Sequence, residues 1–190
     1  MMMHERDEKM ISVKSSELKL IATTSIDLEH EACEDIENAL VFIVSSVRCI
    51  PLERGGVVLV YTDDGCDPLK LIKTLVQSDV RCFWIYPVYK ACRASYEDVL
   101  KCSLELLLQS SVSKPIRLLG KCRKRGVYID SCSNLLKYVM PFLESLNIVS
   151  VDFKRPEYIL RIEVVGSIAA LSLYPASIEN TFRVKRAPTT

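Results

Sequence analysis

Segments with strand-like hydrophobic spacing alternate along this chain with segments of helical spacing, and the alternation limits the folds open to it. In the first ninety residues, strand patterns occupy residues 18–24, 57–61 and 80–89. Between them, helical spacing predicts a long helix over residues 27–44 and a shorter one over 68–77. Strands that alternate with helices favour a mixed α/β fold.

The second half of the chain continues the same mixture and ends in a hairpin. Helical patterns cover residues 95–109 and 133–146, and strand patterns cover residues 116–125, 158–165 and 168–173. We therefore predict an α/β (α+β) protein of two domains. Residues 1–90 form an N-terminal ferredoxin-like domain, of which 1–16 are flexible. Residues 91–190 form the second domain, which is predicted to end in a mobile basic tail at 179–190.

The clearest strand pattern lies in residues 158–165. Three aliphatic residues alternate there with Arg161 and Glu163, which predicts an apolar face turned to the core and these two charges turned to solvent. Gly166 and Ser167 then favour a turn into the next strand.

Charge is divided unevenly between the two halves, although the formal net charge of the whole chain is only +1. Residues 1–90 hold 10 Lys and Arg against 15 Asp and Glu, whereas residues 91–190 hold 15 against 9. The excess of positive charge in the second half indicates a polyanionic partner.

The positive charge is most concentrated in residues 120–126, which read GKCRKRG. In a strand, alternate residues share a face at intervals of about 6.6 Å. One face then carries four cations, namely Arg117, Lys121, Arg123 and Arg125. The other face carries Ile116, Leu118 and Cys122 and is predicted to pack against a helix.

A row of cations at this spacing suits a phosphate backbone, because Arg binds phosphate oxygens in pairs and Lys acts as a point charge. RNA is favoured over DNA, since no recognition helix is evident. The predicted RNA-binding residues are Lys90, Arg93, Arg117, Lys121, Arg123, Lys124, Arg125, Lys154 and Arg155. The alternative is that GKCRKRG is ordinary solvated surface.

The sequence offers few residues for metal or covalent chemistry. Its eight cysteines include no Cys-x-x-Cys pair, and its two histidines, His4 and His30, lie in unsuitable segments. No glycine-rich phosphate loop is present, and Cys66 lacks a partner base. We therefore expect no metal, no cofactor and no catalytic residue. The cysteines are expected to be reduced apolar residues, with disulfides as the alternative if the source is a hyperthermophile.

The N-terminal residues are too polar for a signal peptide, and the longest apolar run is too short to cross a bilayer. A cytoplasmic location is therefore expected. The acidic residues near the start of the long helix are explained by the positive end of its dipole, which we prefer to a metal-binding carboxylate cluster.

The order of these segments resembles a THUMP domain, a tRNA-binding module that follows an N-terminal ferredoxin-like domain. The similarity covers residues 18–186. It rests on the KCRKR strand, the helix after it and VDFKRPEYILRIEVVGSIAALSLY. A further segment, YPVYKACRASYEDVL, is similar to the stand-alone THUMP proteins that act as adaptors for tRNA cytidine acetylation.

This resemblance implies a non-catalytic adaptor that holds tRNA near its acceptor end for a separate acetyltransferase. The family's basic strand falls on Lys121 and Arg123, its proline turn on Pro156, and its lysine–cysteine pattern on Lys90 and Cys92. Gly120 stands where a larger residue is common, so a strand bulge is expected there.

Two other functions remain open from the sequence. The first alternative is a THUMP-type protein that serves another enzyme, for instance one of tRNA thiolation or methylation on a second chain. The chain is alternatively a ferredoxin-like regulatory module without RNA binding, in which case the basic strand is only solvated.

Overall fold

The computed structural model describes residues 18–62 and 65–184. These residues form two compact units, one made of 18–88 together with 179–184 and the other of 89–178. The predicted flexible segment 1–16 and residues 185–190 of the predicted tail lie outside the described residues. The predicted domain boundary at residue 90 stays a prediction.

The first unit is a four-stranded antiparallel sheet with two helices. Its elements are β1 (Leu18–Thr23), α1 (Glu29–Leu40), β2 (Val47–Leu52), β3 (Val57–Thr62), α2 (Pro68–Gln77) and β4 (Trp84–Pro87). The strand order is β2-β3-β1-β4. Two consecutive βαβ arrangements in this order give the ferredoxin-like architecture.

Strand β2 occupies Val47–Leu52, a segment for which no strand pattern was evident in the sequence. Pro51 lies within this strand and pairs with Val58 of β3. Since β2 is the last strand on its side of the sheet, the missing N–H of proline is tolerated there. The long helix also ends at Leu40, four residues before its predicted end.

The tail predicted over 179–190 is structured as far as Val184. A 3₁₀ helix spans Ala176–Phe182, and the Phe182 ring packs edge-on against Tyr86. The Val184 N–H donates to the Phe83 carbonyl at 3.0 Å. Residues 179–184 therefore return to the first unit.

The second unit is a five-stranded mixed sheet. Its elements are β5 (Lys90–Arg93), α3 (Tyr96–Gln109), β6 (Ile116–Arg125), α4 (Cys132–Ser145), β7 (Val149–Val151), β8 (Tyr158–Val165) and β9 (Ile168–Pro175). The strand order is β5-β9-β8-β6-β7. β6 runs parallel to both of its neighbours, whereas β9 is antiparallel to β8 and to β5.

Helices α3 and α4 share one core with a single face of this sheet. Leu118 and Ile162 from the sheet are fully buried in it together with Val99 of α3 and Val139 of α4. Ser95 and Ser131 cap the two helices by accepting backbone N–H groups of Asp98 and Asn134. This arrangement leaves the opposite face of the sheet without either helix.

The bulge expected at Gly120 is absent, because the pairing of β6 with β8 is continuous through Gly120 and Leu160. A Cβ atom at Gly120 would lie 3.0 Å from side-chain atoms of both Leu136 and Met140. Glycine is therefore needed here for the close approach of α4, and not for a change in the strand.

Four of the eight cysteines form disulfides, which corrects the expectation that all are reduced. Cys33 of α1 is joined to Cys49 of β2, and Cys122 of β6 to Cys132 of α4. Each bond ties a helix to a neighbouring strand within one unit. Among the described residues, no helix is both long and apolar enough to span a membrane.

Candidate nucleic-acid interface

The helix-free face of the second unit's sheet gathers four of the nine predicted RNA-binding residues around one carboxylate. The register of β6 and β8 places Lys121 beside Arg161 and Arg123 beside Glu163. Arg125 and Arg93 lie in one cross-strand row, linked through Val165 and Ile168. We call this surface the basic face, and its residues are Arg93, Lys121, Arg123, Arg125, Arg161 and Glu163.

Glu163 organises the basic face because one buried carboxylate serves two arginines. Its Oε2 accepts a hydrogen bond from Arg125 at 3.0 Å, and its Oε1 accepts one from Arg161 Nε at 2.8 Å. The Glu163 side chain is only 3% exposed, and that of Arg125 is 17% exposed. Two guanidinium groups are thus held in fixed positions by charge-assisted hydrogen bonds.

The groups around Arg125 shift its pKa in opposite directions, but they do not remove its charge. Burial lowers the pKa of Arg125, as does repulsion from Arg123 and Arg161, whereas the Glu163 carboxylate raises it. A guanidinium remains protonated at any physiological pH. The basic face therefore keeps a net positive charge, since one carboxylate balances several cations.

Among the arginines next to Glu163, Arg123 is the exposed one. Its register partner is Glu163, whose two oxygens are already occupied by Arg125 and Arg161. Within the part of the chain that the structure describes, Arg123 is exposed and has no ion pair. This side chain can reach a phosphate oxygen without first breaking a bond to the protein.

Lys124 points away from the basic face. Its ammonium donates to the carbonyl oxygens of Ile129, at 2.9 Å, and Asp130, at 2.7 Å. Hydrogen bonds from Tyr96 and Asn134 lower the pKa of the Asp130 carboxyl to about 2. Lys124 thus holds the loop after β6 and stands apart from the cations of the basic face.

Three of the predicted residues lie at the opposite end of β6. Arg117 donates to Glu157 at 2.9 Å, and both side chains are about half exposed. The backbone N–H groups of Lys154 and Arg155 donate to Asp152, and their side chains are exposed. Eight residues of strand separate Arg117 from Arg125, which amounts to roughly 26 Å.

The two predicted residues of β5 face opposite ways. Lys90 forms an ion pair with Glu105 of α3, on the side of the sheet that the helices cover. Arg93 is exposed on the basic face. The structure thus brings Arg93, Lys121, Arg123 and Arg125 together, and it places Lys90, Lys124 and the group at Arg117 elsewhere.

Sequence reasoning missed the role of Arg161 and Glu163. The alternation of β8 correctly puts them opposite the aliphatic residues, but the expectation that they point to solvent is wrong, since they are only 9% and 3% exposed. The signal that could have found them is an Arg-x-Glu pair on a strand predicted next to the basic strand. Within residues 18–62 and 65–184, no cluster of metal-ligating side chains is formed.

The sequence matches no protein-family model and no curated protein. Solved structures do resemble it. PH1313 from Pyrococcus horikoshii Ot3 superposes with a TM-score of 0.66 and 16% identity, over 83% of this chain and 54% of that one. A 4-thiouridine synthetase in complex with RNA and ATP gives a TM-score of 0.53 and 20% identity, over 83% of this chain and 41% of that one.

A chain described as a possible methylase from Clostridium difficile 630 also matches, with a TM-score of 0.53 and 11% identity, over 83% of this chain and 41% of that one. The chain thus spans about half the length of these proteins or less. Such likenesses, at 11–20% identity, define a class of fold alone, the mixed α+β fold that this chain shares with parts of those proteins, and the predicted fold class is confirmed.

The expectation of a non-catalytic chain is contradicted by these comparisons. The same fold forms part of a synthetase and of a chain described as a possible methylase. Because the fold occurs within enzymes, the lack of a recognisable catalytic motif in this sequence does not mark the chain as non-catalytic.

Proposed function

We propose that this chain binds tRNA on the basic face and presents it, in the cytoplasm, for modification. The reaction that we favour is acetylation of a cytidine by a separate acetyltransferase. The chain would hold the tRNA near its acceptor end. This choice of reaction rests on the resemblance of the segment YPVYKACRASYEDVL to acetylation adaptors. RNA as the ligand is further supported by the likeness to a synthetase that is bound to RNA.

The observation that carries the proposal is the exposure of Arg123 beside a fixed second arginine. This side chain is exposed beside Arg125, which Glu163 holds in place at 3.0 Å. A phosphate that approaches Arg123 meets a second cation whose position is already fixed, so less side-chain entropy is lost on binding. Lys121 lies on the same strand face, two residues before Arg123.

The spacing of these cations fits a polymer better than a single small anion. Lys121, Arg123 and Arg125 recur at intervals of about 6.6 Å along the strand, so they form an extended row of charges and not a single cluster. Binding of this type follows the backbone and carries little sequence information.

The test is the affinity for total tRNA, compared with duplex DNA of similar charge, at several salt concentrations. The chain should prefer tRNA. In the variant that combines Lys121→Ala with Arg123→Ala, affinity for tRNA should fall about tenfold or more, and the salt slope should decrease by about two. The slope changes because a variant with fewer phosphate contacts releases fewer counterions when it binds.

Arg117→Ala is the matched control, because Arg117 is an exposed arginine on the same strand and is already paired with Glu157. It should change the affinity much less than the double variant does. Equal losses in the two variants, or no loss in the double variant, would remove the basic face as the binding site.

The modification itself is tested by nucleoside analysis of tRNA. Loss of the chain from its cell should abolish acetylated cytidine if the favoured reaction is correct. Thiolation is the second candidate, favoured by the likeness to a 4-thiouridine synthetase, and it predicts the loss of a thiolated uridine instead.

A further inference from the structure

Two free cysteines face each other where β5 packs on α3. Strand alternation puts Lys90 and Cys92 on one face of β5. Helical spacing of three residues puts Cys102 and Glu105 on one face of α3. The ion pair between Lys90 and Glu105 shows that these two faces meet. Beside that ion pair, Cys102 belongs to the core of the unit and Cys92 packs against the same core, so that each thiol shifts the pKa of the other.

The surroundings of the pair favour a reactive sulfur. The Cys92 thiol lowers the pKa of Cys102, and the nearby Lys90 ammonium lowers it further, against the opposing effects of burial, Glu105 and Asp98. Cys102 is 8% exposed, whereas Cys92 is half-buried. A small solute can therefore reach the pair from the side of Cys92.

Cys82 provides an internal reference for the reactivity of the pair. Four cysteines are outside the two disulfides, namely Cys66, Cys82, Cys92 and Cys102. Cys82 is completely buried, and burial raises the pKa of its thiol to about 12. Only the thiolate reacts readily with oxidants, so Cys82 should be inert.

We propose that Cys92 and Cys102 form a peroxide-reactive dithiol that closes to a disulfide between β5 and α3. The ligand class is a small hydroperoxide, with hydrogen peroxide as the simplest member. The two disulfides already present in the chain, Cys33–Cys49 and Cys122–Cys132, leave this dithiol as the pair available for reversible oxidation. The site is independent of the basic face.

The chemistry proceeds in two balanced steps. The Cys102 thiolate attacks one peroxide oxygen, the O–O bond breaks, and the products are Cys102 sulfenic acid and hydroxide. Cys92 Sγ then attacks the sulfenic sulfur, its proton leaves with the hydroxyl group as water, and the S–S bond forms. Two thiols are oxidised and one peroxide is reduced in total.

The test is hydrogen peroxide treatment of the purified full chain, followed by alkylation under denaturing conditions and peptide mass analysis. The four thiols outside the two disulfides should fall to two. A crosslinked peptide pair containing Cys92 and Cys102 should form about ten times faster than Cys82 is oxidised. Failure of this link to form, at peroxide concentrations that oxidise Cys66 or Cys82, would overturn the proposal.

Variants separate the roles of the two cysteines. In Cys92→Ser the second step is blocked, so Cys102 should accumulate as a sulfenic acid that dimedone traps. The control Cys82→Ser should form the disulfide at the rate of the unmodified chain. If Cys92→Ser does not fold, the crosslink measured in the unmodified chain decides the question alone.

Discussion

The two ends of β6 carry similar charges in the sequence but balance them in different ways. At its start, Arg117 forms an exposed ion pair with Glu157. At its end, the buried carboxylate of Glu163 is shared between Arg125 and Arg161, and Arg123 beside them is exposed. A cation counted in the sequence is therefore not equally available to a ligand at every position.

The difference follows from what each carboxylate is surrounded by. An exposed ion pair competes with water and salt, and it contributes little to stability. A buried carboxylate must be fully satisfied by its partners, so it fixes their positions in return. The end of β6 is consequently rigid and rich in cations, whereas at its start the charge of Arg117 is neutralised by Glu157.

The largest expected effect comes from removing the shared carboxylate. Glu163→Ala should leave two largely buried guanidinium groups without a partner and reduce the free energy of unfolding by about 3–5 kcal/mol. Denaturant titration measures this loss. Glu157→Ala is the control at the other end of β6 and should cost less than about 1 kcal/mol. Similar losses in both variants would mean that the two ends do not differ as described.

A smaller effect is expected at Gly120, which separates the two ends. Gly120→Ala adds a Cβ atom 3.0 Å from Leu136 and Met140 and should reduce the free energy of unfolding by about 1–3 kcal/mol. Gly65→Ala is the matched control, because a Cβ there meets no atom within 4 Å. An unchanged stability in Gly120→Ala would show that α4 moves away without cost.

The smallest effect concerns acid stability. Hydrogen bonds lower the pKa of Asp130, near the end of β6, from 3.8 to about 2. Since the folded state has the lower pKa, this stabilisation is complete above the unfolded value and is lost as pH falls from 3.8 towards 2. Asp130→Asn should flatten the dependence of stability on pH in this window.

Asp152 provides the comparison at the start of β6. Backbone hydrogen bonds from Arg155 and Lys154 lower the pKa of its carboxyl. Asp152→Asn should therefore also weaken the acid dependence of unfolding, with the same sign. Acid titration of both variants, followed by circular dichroism, measures the two contributions. A flat profile in the unmodified chain would contradict both assignments.

Local signals in the sequence predicted much of the fold. Asp67 directly precedes Pro68, and Ser95 lies three residues before Asp98; both side chains accept backbone hydrogen bonds at the starts of α2 and α3. Such caps act within one helical turn, so they can be found without knowledge of the rest of the chain. Strand β2 was not predicted, because proline usually signals a turn. Pro51 is tolerated in β2 only because this strand lies at the edge of the sheet.

For the candidate site, the sequence by itself determined which residues share the basic face of β6, because side chains alternate strictly along a strand. Only the tertiary structure decided that β8 lies beside β6 in a register that places Glu163 among Arg123, Arg125 and Arg161. It also decided that Cys122 meets Cys132 and that Cys92 meets Cys102. Pairing of this kind depends on contacts between segments distant in the chain, and hydrophobic periodicity carries no information about which segments become neighbours.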